Sequence, residues 1–156
     1  MTTVATGSRS DALRELEAEV GVLIRRVRRV IGERARAVHP DLLPSSYLML
    51  GYVRDHGPVR ASAVGQVLDI DKGAISRQVQ HLIDLGLLDR SPDPEDGRAT
   101  LLTASADAVR RLEQVADDRR ALLVERLGEW SPEEMRAFAA SLHRYNEALS
   151  EPGDGC

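Results

Sequence analysis

Five polar side chains gather within ten positions of the chain: Lys72, Ser76, Arg77, Gln80 and His81. In a helical stretch they stand away from Ile75, Val79, Leu82 and Gly86, which span only about 60° of the wheel. Their chemistry suits the edges of nucleic-acid bases. Arg donates two parallel hydrogen bonds to guanine, Gln pairs bidentately with adenine, and Ser serves phosphate or base. Gly73 and Ala74 are small and open the same helix, where backbone N–H groups and the positive dipole end favour a phosphate. Another cation stands apart. Arg98 follows Asp96-Gly97 in a turn-rich segment, and the Asp96 carboxylate is placed to hold its guanidinium in one pose. A lone Arg on a projection suits the narrow, electronegative minor groove. Arg90, on the run leading into that segment, is a further candidate contact.

These residues need a scaffold, and apolar spacing supplies it. Leu13, Leu16, Val20, Leu23, Ile24, Val27, Val30 and Ile31 recur in steps of three and four, the stripe of an amphipathic helix. Ser10 and Asp11 offer its start and His39-Pro40 its stop, so the helix covers 11–38 and runs about 40 Å. A second helix begins near Pro44 and ends at His56-Gly57-Pro58. A short apolar segment, Ala61 to Leu68, then turns at Asp69-Ile70-Asp71 into the helix at 71–86. The runs 87–91 and 98–103 flank Pro92-Asp93-Pro94-Glu95-Asp96-Gly97, a cluster of turn formers that predicts a two-stranded hairpin with an exposed tip. Thr103 is placed to cap a helix over 104–128, and Ser131-Pro132-Glu133-Glu134 reads as the capping box of a last helix.

Two helices joined by a tight turn and followed by a hairpin form a winged helix-turn-helix, whose second helix enters the major groove of double-stranded DNA. The expected class is all-α with a small β-hairpin wing, six helices in all, in a homodimer. Residues 44–103 form the DNA-binding part, and 11–43 with 104–150 the helical dimerisation part. Leu13, Leu16, Leu122, Leu127, Phe138, Leu142 and Tyr145 carry more apolar face than one small winged domain can cover. Pairing with a second copy would bury it. The small, polar ends, 1–10 and 151–156, are expected to be disordered.

Composition narrows the alternatives. The chain has 156 residues, 42% hydrophobic and 29% charged, an ordinary globular balance. No apolar run is long enough for a membrane span and no secretory leader is present, so a cytoplasmic protein without a membrane partner is expected. The net charge of −4 argues weakly against a polyanionic partner, because what matters is where positive charge faces. Even so, 54–103 carries six bases against eight acids, so non-specific affinity for DNA should be modest and sharply salt-dependent.

The layout resembles the MarR (multiple antibiotic resistance regulator) family of transcription factors from about residue 12 to 149. The resemblance rests on Val64 to Arg77, on Leu82 to Leu88 with Gly86, on Asp96-Gly97-Arg98-Ala99-Thr100-Leu101-Leu102-Thr103, and on Ser131-Pro132-Glu133-Glu134. The wing's Asp-x-Arg followed by Leu-Thr is the most specific piece. The resemblance implies an obligate homodimer with two winged domains on a pseudo-palindrome, and repression relieved by a small, often aromatic, molecule. It assigns Lys72, Ser76, Arg77 and Gln80 to the reading helix and Arg98 to the wing. The chain departs from the family at Gly65, where Ala is usual, at Asp69, where the turn usually has Gly, and at Ala106, which replaces a common Gly.

Other sites are weaker. His39, Tyr47 and Tyr52, with Arg25 as a counter-charge, bring polar-tipped rings to the junction of the first two helices, where an aromatic acid effector would fit. His39, His56, His81 and His143 lack ligand spacing, so no metal and no cofactor is expected. Cys156 alone on a tail reads as an inert thiol. Nothing resembles a phosphate loop or a nucleophile elbow, so the chain is not expected to be an enzyme. The competing reading is a helical dimerisation or adaptor module that uses a winged domain to bind protein.

Overall fold

The computed structural model describes residues 8–150. The remaining terminal positions, with their expected disorder and Cys156, lie outside the described residues. The described chain contains six helices and three short strands: α1 (Arg9–Val38), α2 (Pro44–His56), β1 (Val59–Arg60), α3 (Ala61–Val67), α4 (Lys72–Asp84), β2 (Leu88–Pro92), β3 (Thr100–Ala104), α5 (Ala106–Arg126) and α6 (Pro132–Leu149). It divides into two compact units, one up to Val115 and one from Ala116.

In the first unit, α1 begins at Arg9 rather than at 11. Ser8 is its N-cap, and Asp11, expected at the start, is instead the third residue of a reciprocal capping box. Only the last part of α1 is buried, at Gly32, Ala35 and Val38. The Arg111 guanidinium donates to the Val38 carbonyl at 2.9 Å and satisfies one of the acceptors left over where α1 ends. Pro44 opens α2 as expected, since a missing N–H costs nothing at a first turn.

Helices α3 and α4 terminate in the same way. At each end an amide bonds back across the last turn to close a Schellman motif: Ile70 N–H to the Gly65 carbonyl, and Leu87 N–H to that of Leu82. The motif needs one residue in the left-handed region. Gly86 supplies it for α4 at φ +71, and Asp69 supplies it for α3 at φ +50. Asp69 therefore adopts the turn geometry of the glycine it replaces, which Asp tolerates better than most residues. Gly65 has its own reason: a Cβ there would meet the Ile70 carbonyl oxygen at 3.2 Å and Ile75 Cδ1 at 3.3 Å.

The wing is a three-stranded antiparallel sheet in the order β1-β3-β2, not a two-stranded hairpin. Val59 pairs with Leu102 and Arg60 with Leu101, while Leu88 pairs with Ala104 and Pro92 with Thr100. The third strand steadies a hairpin that would be marginal alone. Because β3 extends to Ala104, Thr103 lies in the strand, and Ser105 caps α5 through the Ala108 N–H at 3.1 Å. The core of this unit is Met49, Leu50 and Val53 of α2, Val64 of α3, Ile75, Val79 and Leu82 of α4, Leu87, Leu88 and Leu102 of the wing, and Ala108 and Leu112 of α5. Each fully buried Leu among them contributes about 1.5–3 kcal/mol relative to exposure.

In the second unit, Ser131 and Glu134 form the expected capping box of α6. The Trp130 and Phe138 rings meet edge to face at 5.9 Å. No residue of α6 is buried.

Candidate nucleic-acid interface

α4 buries Ile75, Val79 and Leu82, which turns Lys72, Gly73, Ser76, Arg77 and Gln80 outward. The sequence-predicted edge thus exists as one exposed surface. Its members differ in how free they are. No salt bridge engages Lys72 or Arg77 among the described residues, so neither is tied to a neighbouring acid. Ser76 Oγ donates to the Lys72 carbonyl one turn back, and the Gln80 amide donates to Asp84 at 2.8 Å. That bond uses one of the two amide hydrogens of Gln80. His81 is only half-exposed, and its Nε2–H donates to the Asp41 carbonyl across 40 positions of sequence. It fastens α4 to the segment between α1 and α2 rather than extending the edge.

The expectation that free amides at the start of α4 await a phosphate does not hold in this structure. Asp71 is the N-cap, and its Oδ1 accepts from the Gly73 and Ala74 N–H groups, both at 2.9 Å. A carboxylate already occupies the positive end of the dipole. The small Gly73 makes room instead for side chains. A Cβ there would lie 3.3 Å from Asp71 Oδ1 and 3.4 Å from Arg77 Nη1.

Beyond β2 the chain forms a compact loop between Asp93 and Ala99, closed by Asp93 N–H to the Ala99 carbonyl and Ala99 N–H to the Asp96 carbonyl. Asp96 does not clamp the Arg98 guanidinium as expected; its carboxylate accepts the Arg98 backbone N–H at 3.1 Å. The support goes to the main chain, and the Arg98 side chain is left exposed. Arg90 is exposed on β2. Asp93 belongs to the segment expected as an exposed tip, but the structure buries it to 6% exposure. Asp93 accepts the Glu95 N–H at 2.9 Å and the Arg60 Nε at 2.6 Å. The backbone bond first and the guanidinium second hold its carboxyl below the usual 3.8. The 33 positions between Arg60 and Asp93 hid this pair from any local pattern.

The residues predicted for an effector sit in differing surroundings. Arg25 is exposed; Tyr47 and Tyr52 are half-buried against the core. Tyr52 stacks on His56 with ring centroids 4.2 Å apart, and His39 Nδ1 accepts the Asp41 N–H. A hollow of about 310 Å³ lies against α4, lined by Leu43, Ser46, Ala74, Arg77, Gln78 and His81. Ser46 Oγ and Gln78 Oε1 are buried there without a hydrogen-bond partner. Among the described residues, no cluster of three or more His, Cys, Asp or Glu could hold a metal ion, and no helix is long and apolar enough to cross a membrane.

Residues 41–99, from just before α2 through the wing loop, match the MarR family model. An HTH-type transcriptional regulator of Bacillus subtilis, YxaD, is 31% identical over 134 residues, covering 86% of this chain and 92% of the relative. The chain belongs to the MarR family. It is a DNA-binding transcriptional regulator of that family. The fold agrees with RV1404 of Mycobacterium tuberculosis at a TM-score of 0.76, with 21% identity over 96% of this chain and all of the other. It also agrees with a MarR variant of E. coli complexed with operator DNA, at a TM-score of 0.65 and 19% identity over 92% of this chain and all of that one. The MarR match spans α4 and Arg98, so the exposed helix edge and the wing cation both fall within it.

Proposed function

We propose that this MarR-family chain is a cytoplasmic, ligand-responsive repressor that binds a pseudo-palindromic operator as a homodimer. The observation that carries the reading is the α4 edge, where Lys72 and Arg77 stand exposed and unpaired above a buried Ile75-Val79-Leu82 stripe. Arg77 reads a base edge, Ser76 and Gln80 assist, and Arg98 enters the minor groove. His81 holds the helix in place, and Arg90 adds positive potential. In this reading 44–103 forms the DNA-binding part, and 11–43 with 104–150 the dimerisation part.

Support for the dimer comes from apolar exposure. Leu13, Leu16, Leu122, Phe138 and Leu142 are 55%, 45%, 42%, 55% and 37% exposed, and Leu127 and Tyr145 are half-exposed. Two copies would present two reading helices to half-sites about 34 Å apart. A small aromatic effector would act by binding one separation of those helices better than the other. The hollow beside Arg77 favours a second mode. A molecule that satisfied Ser46 and Gln78 there would sit against the reading residue itself and compete with DNA.

Fluorescence anisotropy with the chain's own upstream DNA tests the reading. Saturable binding that weakens with salt, is lost in Arg77→Ala and is absent on scrambled sequence is expected. Equal affinity of wild type and Arg77→Ala would remove α4 as the reading element and favour the protein-binding adaptor.

A further inference from the structure

The loop that carries the wing cation is bonded to a residue from another part of the fold. Inside the loop, Asp93, Asp96 and Ala99 satisfy one another's backbone, and Asp96 accepts the Arg98 N–H. Those bonds give the loop its own shape, and the Asp93–Ala99 bond carries the β2–β3 ladder one step past Pro92–Thr100. Arg60 adds a tie to β1, on the far side of β3. It ends the two-residue strand β1, paired with Leu101 of β3, and its guanidinium reaches the Asp93 carboxylate through Nε at 2.6 Å and Nη2 at 2.5 Å. The Asp93 side chain is 6% exposed and that of Arg60 43%, so the acid is anchored inside while the base covers it. Asp93 is also the residue that accepts the Glu95 N–H and bonds Ala99 across the loop mouth. One carboxylate thus joins the loop's internal frame to β1.

We propose that Arg60 is a positioning residue for DNA binding: through Asp93 it sets the pose of the 93–99 loop and hence where Arg98 is delivered. This rests on the reading of Arg98 as a groove contact. Arg60 spends its charge on Asp93 and acts through the wing, so its effect exists only while Arg98 is present. A direct phosphate contact by Arg60 would be independent of Arg98.

A double-mutant cycle separates the two, because coupled residues depart from additivity and independent ones do not. Operator affinity is measured by anisotropy for wild type, Arg60→Ala, Arg98→Ala and the double variant, each checked for folding by circular dichroism. Arg60→Ala is expected to weaken binding about 3- to 10-fold, and the double variant to bind like Arg98→Ala alone, within about twofold. Asp93→Asn, which keeps an acceptor for the Glu95 N–H, should weaken binding in the same sense, and Arg60→Lys should recover part of the loss. Amide exchange of 95–98 in the free protein should quicken in Arg60→Ala. Wild-type affinity in Arg60→Ala, multiplying losses in the double variant, or unchanged exchange would each overturn the proposal. Failure of the wild type to prefer its operator would count against the DNA reading alone, since exchange reports the loop's order without DNA.

Discussion

Helices α4 and α6 are written in the same amphipathic code and meet opposite fates. α4 lays Ile75, Val79 and Leu82 into a core built from six other elements, while α6 exposes Met135, Phe138, Leu142 and Leu149 at 41%, 55%, 37% and 65%. Both have a side-chain N-cap, Asp71 for one and Ser131 for the other. The difference therefore lies in what each apolar stripe finds to pack against, not in helix propensity. An apolar stripe inside a complete core encodes stability, and one left exposed encodes an association still to be made.

Removing a core contact should show the largest effect. Leu82→Ala is expected to cost about 2–5 kcal/mol in denaturant unfolding, because a closed core cannot refill the space. A loss as small as that at an exposed position would erase the contrast. Phe138→Glu should do the reverse. Thermal unfolding of the winged unit should change little, while sedimentation at micromolar concentration shifts from dimer toward monomer, with association weakened by about 2 kcal/mol or more, roughly 30-fold. An unchanged sedimentation coefficient would assign α6 another partner.

Smaller effects sharpen the comparison at the helix ends. Asp69→Val forces a β-branched residue to φ +50 and should destabilise the winged unit by about 1–2 kcal/mol, while Asp69→Gly should be nearly neutral. Ser131→Ala removes the α6 cap and should lower stability by about 1 kcal/mol, read as lost helical ellipticity. Titration should give the mildest change. Backbone and hydroxyl bonds from Ser131 hold the Glu134 carboxyl below its usual 4.5. A depressed carboxyl stabilises the folded form fully above that value and loses the contribution as pH falls through its folded pKa. Helicity should therefore be flat above about pH 5 and decline on acidification below 4.5, with Glu134→Gln removing the dependence.

Local chemistry was legible where it stayed local. The α6 capping box, the Pro44 start and the outward edge of α4 follow from residues within a turn or two of one another. Signals that competed at short range were misjudged: Ser10-Asp11 masked Ser8 as the α1 cap, and Thr103 looked like a cap because the reach of β3 to Ala104 depends on pairing with Leu88. β1 was invisible because two residues cannot display alternation. What mattered most in the interface lay furthest apart in sequence. His81 with Asp41, and Arg60 with Asp93, become neighbours only after the chain has folded.

The order β1-β3-β2 also bears on solubility. The central strand is paired along its whole length with β2 and at Leu101 and Leu102 with β1. One border, β1, is two residues long; the other, β2, carries Asp89, Arg90 and Pro92. Brevity on one margin, and charge with a missing amide on the other, discourage another molecule's strand from joining. A sheet with such margins is poorly suited to growing by the addition of strands.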